Sequence, residues 1–106
     1  MSKKDNILLS EISTQIKKVG LRLKGIYLFG SRAINMHNET SDYDVAIILN
    51  ERIDWKLKDK VREIVYDIML NHDVVIDSHI YTEKEIELSA TPLMQTIKSN
   101  GIFYAS

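Results

Sequence analysis

Three aspartates and a Gly-Ser pair are the residues of this chain whose types and spacing suit catalysis. Gly30-Ser31 is followed, after the ten residues 32 to 41, by Asp42-Tyr43-Asp44. A strand that ends in Gly-Ser and turns into a helix aims free backbone N–H groups at a phosphate, with the positive end of the helix dipole behind them. The glycine lets the phosphate approach, and the serine hydroxyl adds a donor. Asp42 and Asp44, two apart at the mouth of a strand, leave an extended chain on the same face. Two carboxylates there repel one another unless a cation sits between them, and hard Mg²⁺ favours such a pair when it also takes phosphate oxygens. Asp77 stands in the otherwise apolar run Val74-Val75-Ile76-Asp77, where a lone charge is costly without a partner or metal. Placed beside the strand of Asp44, it would complete a three-carboxylate site. Such a triad can hold two metal ions, one orienting a triphosphate and the other activating and aligning an acceptor hydroxyl for in-line attack.

These residues need a sheet to hold them, and the periodicity supplies one. Leu8, Ile12, Ile16 and Val19 recur at helical spacing before Gly20, which predicts an amphipathic helix over residues 6 to 19. Gly25 to Phe29 and Asp44 to Leu49 have the β-branched and aromatic content of strands. Asp54 is placed to cap a long helix carrying Leu57, Val61, Ile64, Val65 and Ile68 inward. Val74 to Tyr81 reads as a third strand. Thr82-Glu83-Lys84-Glu85 has the form of a capping box, Thr91-Pro92 starts another short helix, and Asn100-Gly101 ends it before an apolar tail, Ile102-Phe103-Tyr104. The predicted order is α-β-(short α)-β-α-β-α-α. It describes an α/β (α+β) fold, a small mixed β-sheet with helices mainly on one face.

With 106 residues, 44% of them hydrophobic, the chain has material for one core, so residues 1–106 are expected to form a single domain. Fourteen basic and fifteen acidic residues give a net charge of -1, which offers no global attraction for nucleic acid or an anionic membrane. Any anionic ligand must be held locally. The absence of cysteine excludes disulfides, a thiolate nucleophile and thiolate zinc sites, and fits a reducing cytoplasm. No window has the apolar length of a signal peptide core or a membrane span, so a soluble cytoplasmic protein without membrane partners is expected.

Taken together, the motifs resemble the minimal nucleotidyltransferases of the DNA polymerase β superfamily. The likeness covers almost the whole chain: the Gly-Ser, ten-residue gap, Asp-x-Asp signature, the third aspartate Asp77 four residues before Tyr81-Thr82, and the ending from Pro92-Leu93-Met94 to Asn100-Gly101-Ile102. The resemblance implies the palm-like nucleotidyltransferase fold, with Asp42, Asp44 and Asp77 as catalytic metal ligands. Gly30 and Ser31 would bind the β- and γ-phosphates of ATP, and two Mg²⁺ ions would serve as cofactors. Arg32 matches the arginine that often follows the Gly-Ser pair, and it either touches phosphate or braces the loop.

Family members of this size commonly travel with a small helical HEPN-type protein. The resemblance thus implies an antitoxin that transfers AMP to a tyrosine hydroxyl of a HEPN RNase toxin. Transfer to a small hydroxylated molecule is an alternative, although the aminoglycoside enzymes that do this normally carry an additional domain. A non-catalytic antitoxin acting by occlusion is another. No basic stripe or aromatic platform offers a track for direct nucleic-acid binding. His79 shares a strand face with Asp77 and is within reach of the site, while His37 and His72 read as surface positions. Lys56, Lys58 and Lys60 read as the wet side of a helix, and Trp55 as either local packing or a partner surface.

Overall fold

Ser2 sets where the chain first turns helical. Its hydroxyl accepts from the Asp5 N–H at 3.1 Å while the Asp5 carboxylate accepts from the Ser2 N–H at 3.1 Å. This capping box satisfies donors that a helix start leaves without intrahelical partners. In the computed structural model, which describes residues 1–34 and 42–105, helix α1 therefore runs Lys3–Lys18, starting ahead of the apolar stripe that marks it in the sequence. Strand β1 is Leu23–Phe29 and leads into a 3₁₀ turn at Gly30–Arg32; the rest of the short helix expected after Gly-Ser, and His37 with it, lies outside the described residues. Strand β2 follows at Tyr43–Leu49, and Asp54 caps α2, Trp55–His72, by accepting from the Leu57 N–H at 2.9 Å. Strand β3 is Ile76–Thr82, with α3 at Glu83–Leu88 and α4 at Pro92–Asn100, each opened by the threonine that the sequence marks.

The tail Ile102-Phe103-Tyr104 is a strand in its own right: β4, Ile102–Ala105, pairs antiparallel with β1. The sheet order is β3-β2-β1-β4, with β1 antiparallel to β2 and β2 parallel to β3. A parallel neighbour requires a crossover connection, and α2 provides it.

Alternation along the strands divides the sheet into two faces. Ile26, Leu28, Val45, Ile47 and Leu49 point into the main core, where Leu8, Leu9, Ile12 and Ile16 of α1 and Val61, Val65 and Ile68 of α2 close over them. Phe29, Ala46 and Ile48 point the other way, under Ile86 of α3 and Met94 and Ile97 of α4. The two long helices thus share one face, and the short pair covers part of the opposite one. Among the described residues no helix is long and apolar enough to cross a membrane.

Candidate active site

The carboxylates gather where β1 ends and β2 and β3 begin. Asp44 faces the α3/α4 side of the sheet, and its register partners are Phe29 on β1 and Asp77 on the parallel strand β3. The expected placement of the third aspartate beside Asp44 is therefore what the pairing produces. Asp42, just ahead of β2, is exposed. Burial is the largest influence on the Asp44 carboxyl and raises its pKa above the ordinary value; the neighbouring Asp77 and Asp42 charges raise it further, while His79 opposes them.

Gly30 completes this corner. It sits at φ 71°, a left-handed conformation that side chains rarely adopt, and a Cβ built on it would collide with the Asp44 carboxylate. The Gly-Ser turn and the acidic strand, separated in sequence by the ten-residue gap, are thus in contact.

Asp77 differs from its expectation in one respect. Its side chain is 60% exposed at the outer edge of the sheet, so burial does not by itself demand a partner for it. It nevertheless has one, His79, whose Nε2 lies 3.4 Å from Asp77 Oδ2. His79 in turn packs its ring 5.6 Å from that of Phe29 and stacks 6.3 Å from that of Tyr81, so it is held on the same face as the carboxylates. Positive charge also lies close by: Lys58 and Arg62 of α2 line a hollow of about 200 Å³ with Ser78, His79 and Tyr81. Lys56 and Lys60 are exposed, and Lys58 is half-buried beside this hollow. Likewise His72 is no plain surface residue, because its Nε2 meets Glu11 Oε2 at 2.5 Å and ties α2 to α1. Trp55 is exposed, with the Lys56 ammonium 5.6 Å from the ring centre.

Arg32 turns away from this corner and is buried. Its guanidinium lies 3.7 Å from the centre of the Tyr43 ring, and Nη1 stands 3.9 Å from Asp5 Oδ1. Burial raises the Tyr43 hydroxyl above the ordinary phenol range, an effect that Arg32 opposes and Asp5 reinforces. Asp5 and Tyr43 escape a search for chemical motifs, although Ser2-x-x-Asp5 carries the capping-box pattern and Tyr43 is the middle residue of Asp-x-Asp.

The donor chemistry of Asp42, Asp44 and Asp77 fits a hard divalent cation, whose charge would offset the repulsion that lifts the Asp44 pKa. Among the described residues, however, no three His, Cys, Asp or Glu side chains converge closely enough to hold an ion as they stand. The three carboxylates are electrostatic neighbours rather than a closed ligand shell.

Comparison with known proteins points in one direction. The family described as Polymerase beta, Nucleotidyltransferase matches residues 11–102. MJ0141 of Methanocaldococcus jannaschii, whose name marks it as a candidate protein adenylyltransferase, is 37% identical over 79 residues, covering 74% of this chain and 76% of that protein. Among solved structures, a toxin-antitoxin with AMP-PNP is similar with a TM-score of 0.67 at 20% identity, over 92% of this chain and 73% of that one. The toxin-antitoxin MntA-HepT gives 0.62 at 19% identity, over 95% and 73%. A candidate nucleotidyltransferase from Sulfolobus solfataricus gives 0.61 at 20% identity, over 91% and 75%. At such identities the structural matches establish the shared fold.

Proposed function

Because the chain belongs to the Polymerase beta nucleotidyltransferase family, we propose that it transfers AMP from ATP to a tyrosine hydroxyl of a partner protein, acting in the cytoplasm as antitoxin to a small helical HEPN-type RNase. The observation that carries this reading is the contact between the two halves of the motif: Gly30 abuts the Asp44 carboxylate, and Asp44 pairs in register with Asp77. The name of the M. jannaschii relative supports a protein acceptor, and the likeness to toxin-antitoxin structures supports the partner.

In this reaction the acceptor oxygen forms a bond to the α-phosphorus as the bond to the bridging oxygen breaks, pyrophosphate leaves, and the hydroxyl proton passes to solvent. Backbone donors of the Gly30-Ser31 turn hold the β- and γ-phosphates. Asp42 and Asp44 serve the nucleotide side and Asp77 the acceptor side, with His79 orienting the Asp77 carboxylate. When bound by these three aspartates, two Mg²⁺ ions would supply charge neutralisation of the phosphates and a lower pKa for the acceptor hydroxyl.

Calorimetry should show clear ATP binding with Mg²⁺ and little in EDTA; equal affinity in both would remove the role of the carboxylates. Mixing the protein with Mg²⁺, ATP and the product of a neighbouring gene should then add AMP mass to that partner. A tight complex with no mass change would instead establish occlusion.

A further inference from the structure

Arg32 follows directly on the Gly-Ser pair, yet only 8% of it is exposed. Tyr43, over whose ring the guanidinium lies, points to the α1/α2 side of the sheet, whereas Asp44, the next residue, points to the α3/α4 side. The guanidinium is therefore behind the strand end, and the carboxylates are in front of it. Asp5, its ionic neighbour, is itself fixed in the capping box with Ser2.

We propose that Asp5, Arg32 and Tyr43 form a brace behind the phosphate turn, in which Arg32 is a positioning residue and not a phosphate ligand. The inference rests on Gly30-Ser31 being the phosphate site. A single 3₁₀ turn entered through a left-handed glycine has little of its own to hold it, since such turns have poor hydrogen-bond geometry and glycine is conformationally free. Donors that bind an anion act best when already aimed. Arginine is suited to the bracing task because its planar, permanently charged group stacks on an aromatic ring and pairs with a carboxylate at once. One Asp5 oxygen, Oδ2, is held by the Ser2 N–H, and the other, Oδ1, is buried facing the guanidinium, whose charge offsets that of the carboxylate. The first turn of α1, the first residue of β2 and the phosphate turn are thereby joined.

The test measures affinity for Mg·AMP-PNP and for Mg·tripolyphosphate by calorimetry, with melting temperature recorded for every variant. Asp5→Asn and Arg32→Gln should each weaken both ligands by roughly tenfold or more, as loss of an outer support does. The Asp5→Asn/Arg32→Gln double variant should be no worse than the weaker single, and, having no orphaned buried charge, it stays folded where a single does not. Glu11→Ala, which breaks the α1–α2 tie to His72 and lowers the melting temperature elsewhere, should bind both ligands as wild type does. Wild-type affinity in Asp5→Asn with loss in Arg32→Gln would make Arg32 a direct ligand and overturn the proposal. Wild-type affinity in the double variant, or loss of affinity in Glu11→Ala, would also overturn it. Failure of the unmodified protein to bind either probe would instead overturn the nucleotide site itself.

Discussion

On one face of the sheet α1 and α2 close an apolar layer over buried residues of β1, β2 and β3, whereas on the other α3 and α4 cover the middle and leave Asp44 half-buried and Asp77 exposed. Both faces are built by the same strands; what differs is how far the helical cover extends. Carboxylates that repel each other can be kept only where water still reaches them, because dehydration without a partner is costly. On the covered face the charges of Asp5 and Arg32 are buried together, with the Tyr43 ring beneath the guanidinium. Tyr43 and Asp44, adjacent in sequence, thus belong to opposite regimes.

The sharpest way to break this contrast is to cut into each cover. Ile12→Ala, in the fully buried layer under α1, should cost about 2–5 kcal/mol of stability. Met94→Ala, at the margin of the thinner layer, should fall at or below the low end of that range; equal losses in denaturant melts would mean the two faces are equally packed. Asp44→Asn comes next, with transfer to the partner protein falling by roughly 100-fold or more while the fold survives, as removal of one transition-state electrostatic group does. Asp77→Asn should spare nucleotide affinity more than transfer, and wild-type transfer in that variant would show the third aspartate to be misassigned. Gly30→Ala should cost about 1–2 kcal/mol for its left-handed backbone, with more from the collision with Asp44, and should weaken nucleotide binding.

The smallest effect is on stability as a function of pH. The folded-state pKa of Asp44 is raised, so the protonated form is favoured by folding; that contribution is complete below the unfolded pKa and is lost as pH rises through the folded one. At neutral pH, without divalent cation, Asp44→Asn should therefore raise the melting temperature, and the gain should vanish in acid. A variant less stable at neutral pH would contradict the electrostatic strain assigned to the open face.

How much of this was legible depends on whether the signal was local. Gly30-Ser31, Asp42 and Asp44 stand out by residue type and spacing, and the caps Asp54, Thr82 and Thr91 are where the sequence marks them. β4 was not legible, because a four-residue strand is defined by its pairing with β1, far away in the chain. Gly25 belongs to the same blind spot: the Phe103 ring of β4 lies against it and leaves no room for a Cβ, which no neighbour in sequence reveals. Asp77 was correctly set beside Asp44 but for too strong a reason. Val74 and Val75 precede the strand, Val75 is exposed, and β3 is at the edge of the sheet, so the apolar run never buries the aspartate.

The crossover through α2 also orders events in time. β1 and β2 are antiparallel neighbours joined by a shorter connection than the one between β2 and β3, so Gly30 and Asp44 can meet early, as soon as that pair zips. Asp77 joins them through a parallel pairing across the eighteen-residue helix, a longer loop closure of the kind that slows folding. A chain emerging from the ribosome thus has Gly30 and Asp44 in hand before Asp77, because β3 is the last of the three strands to be made.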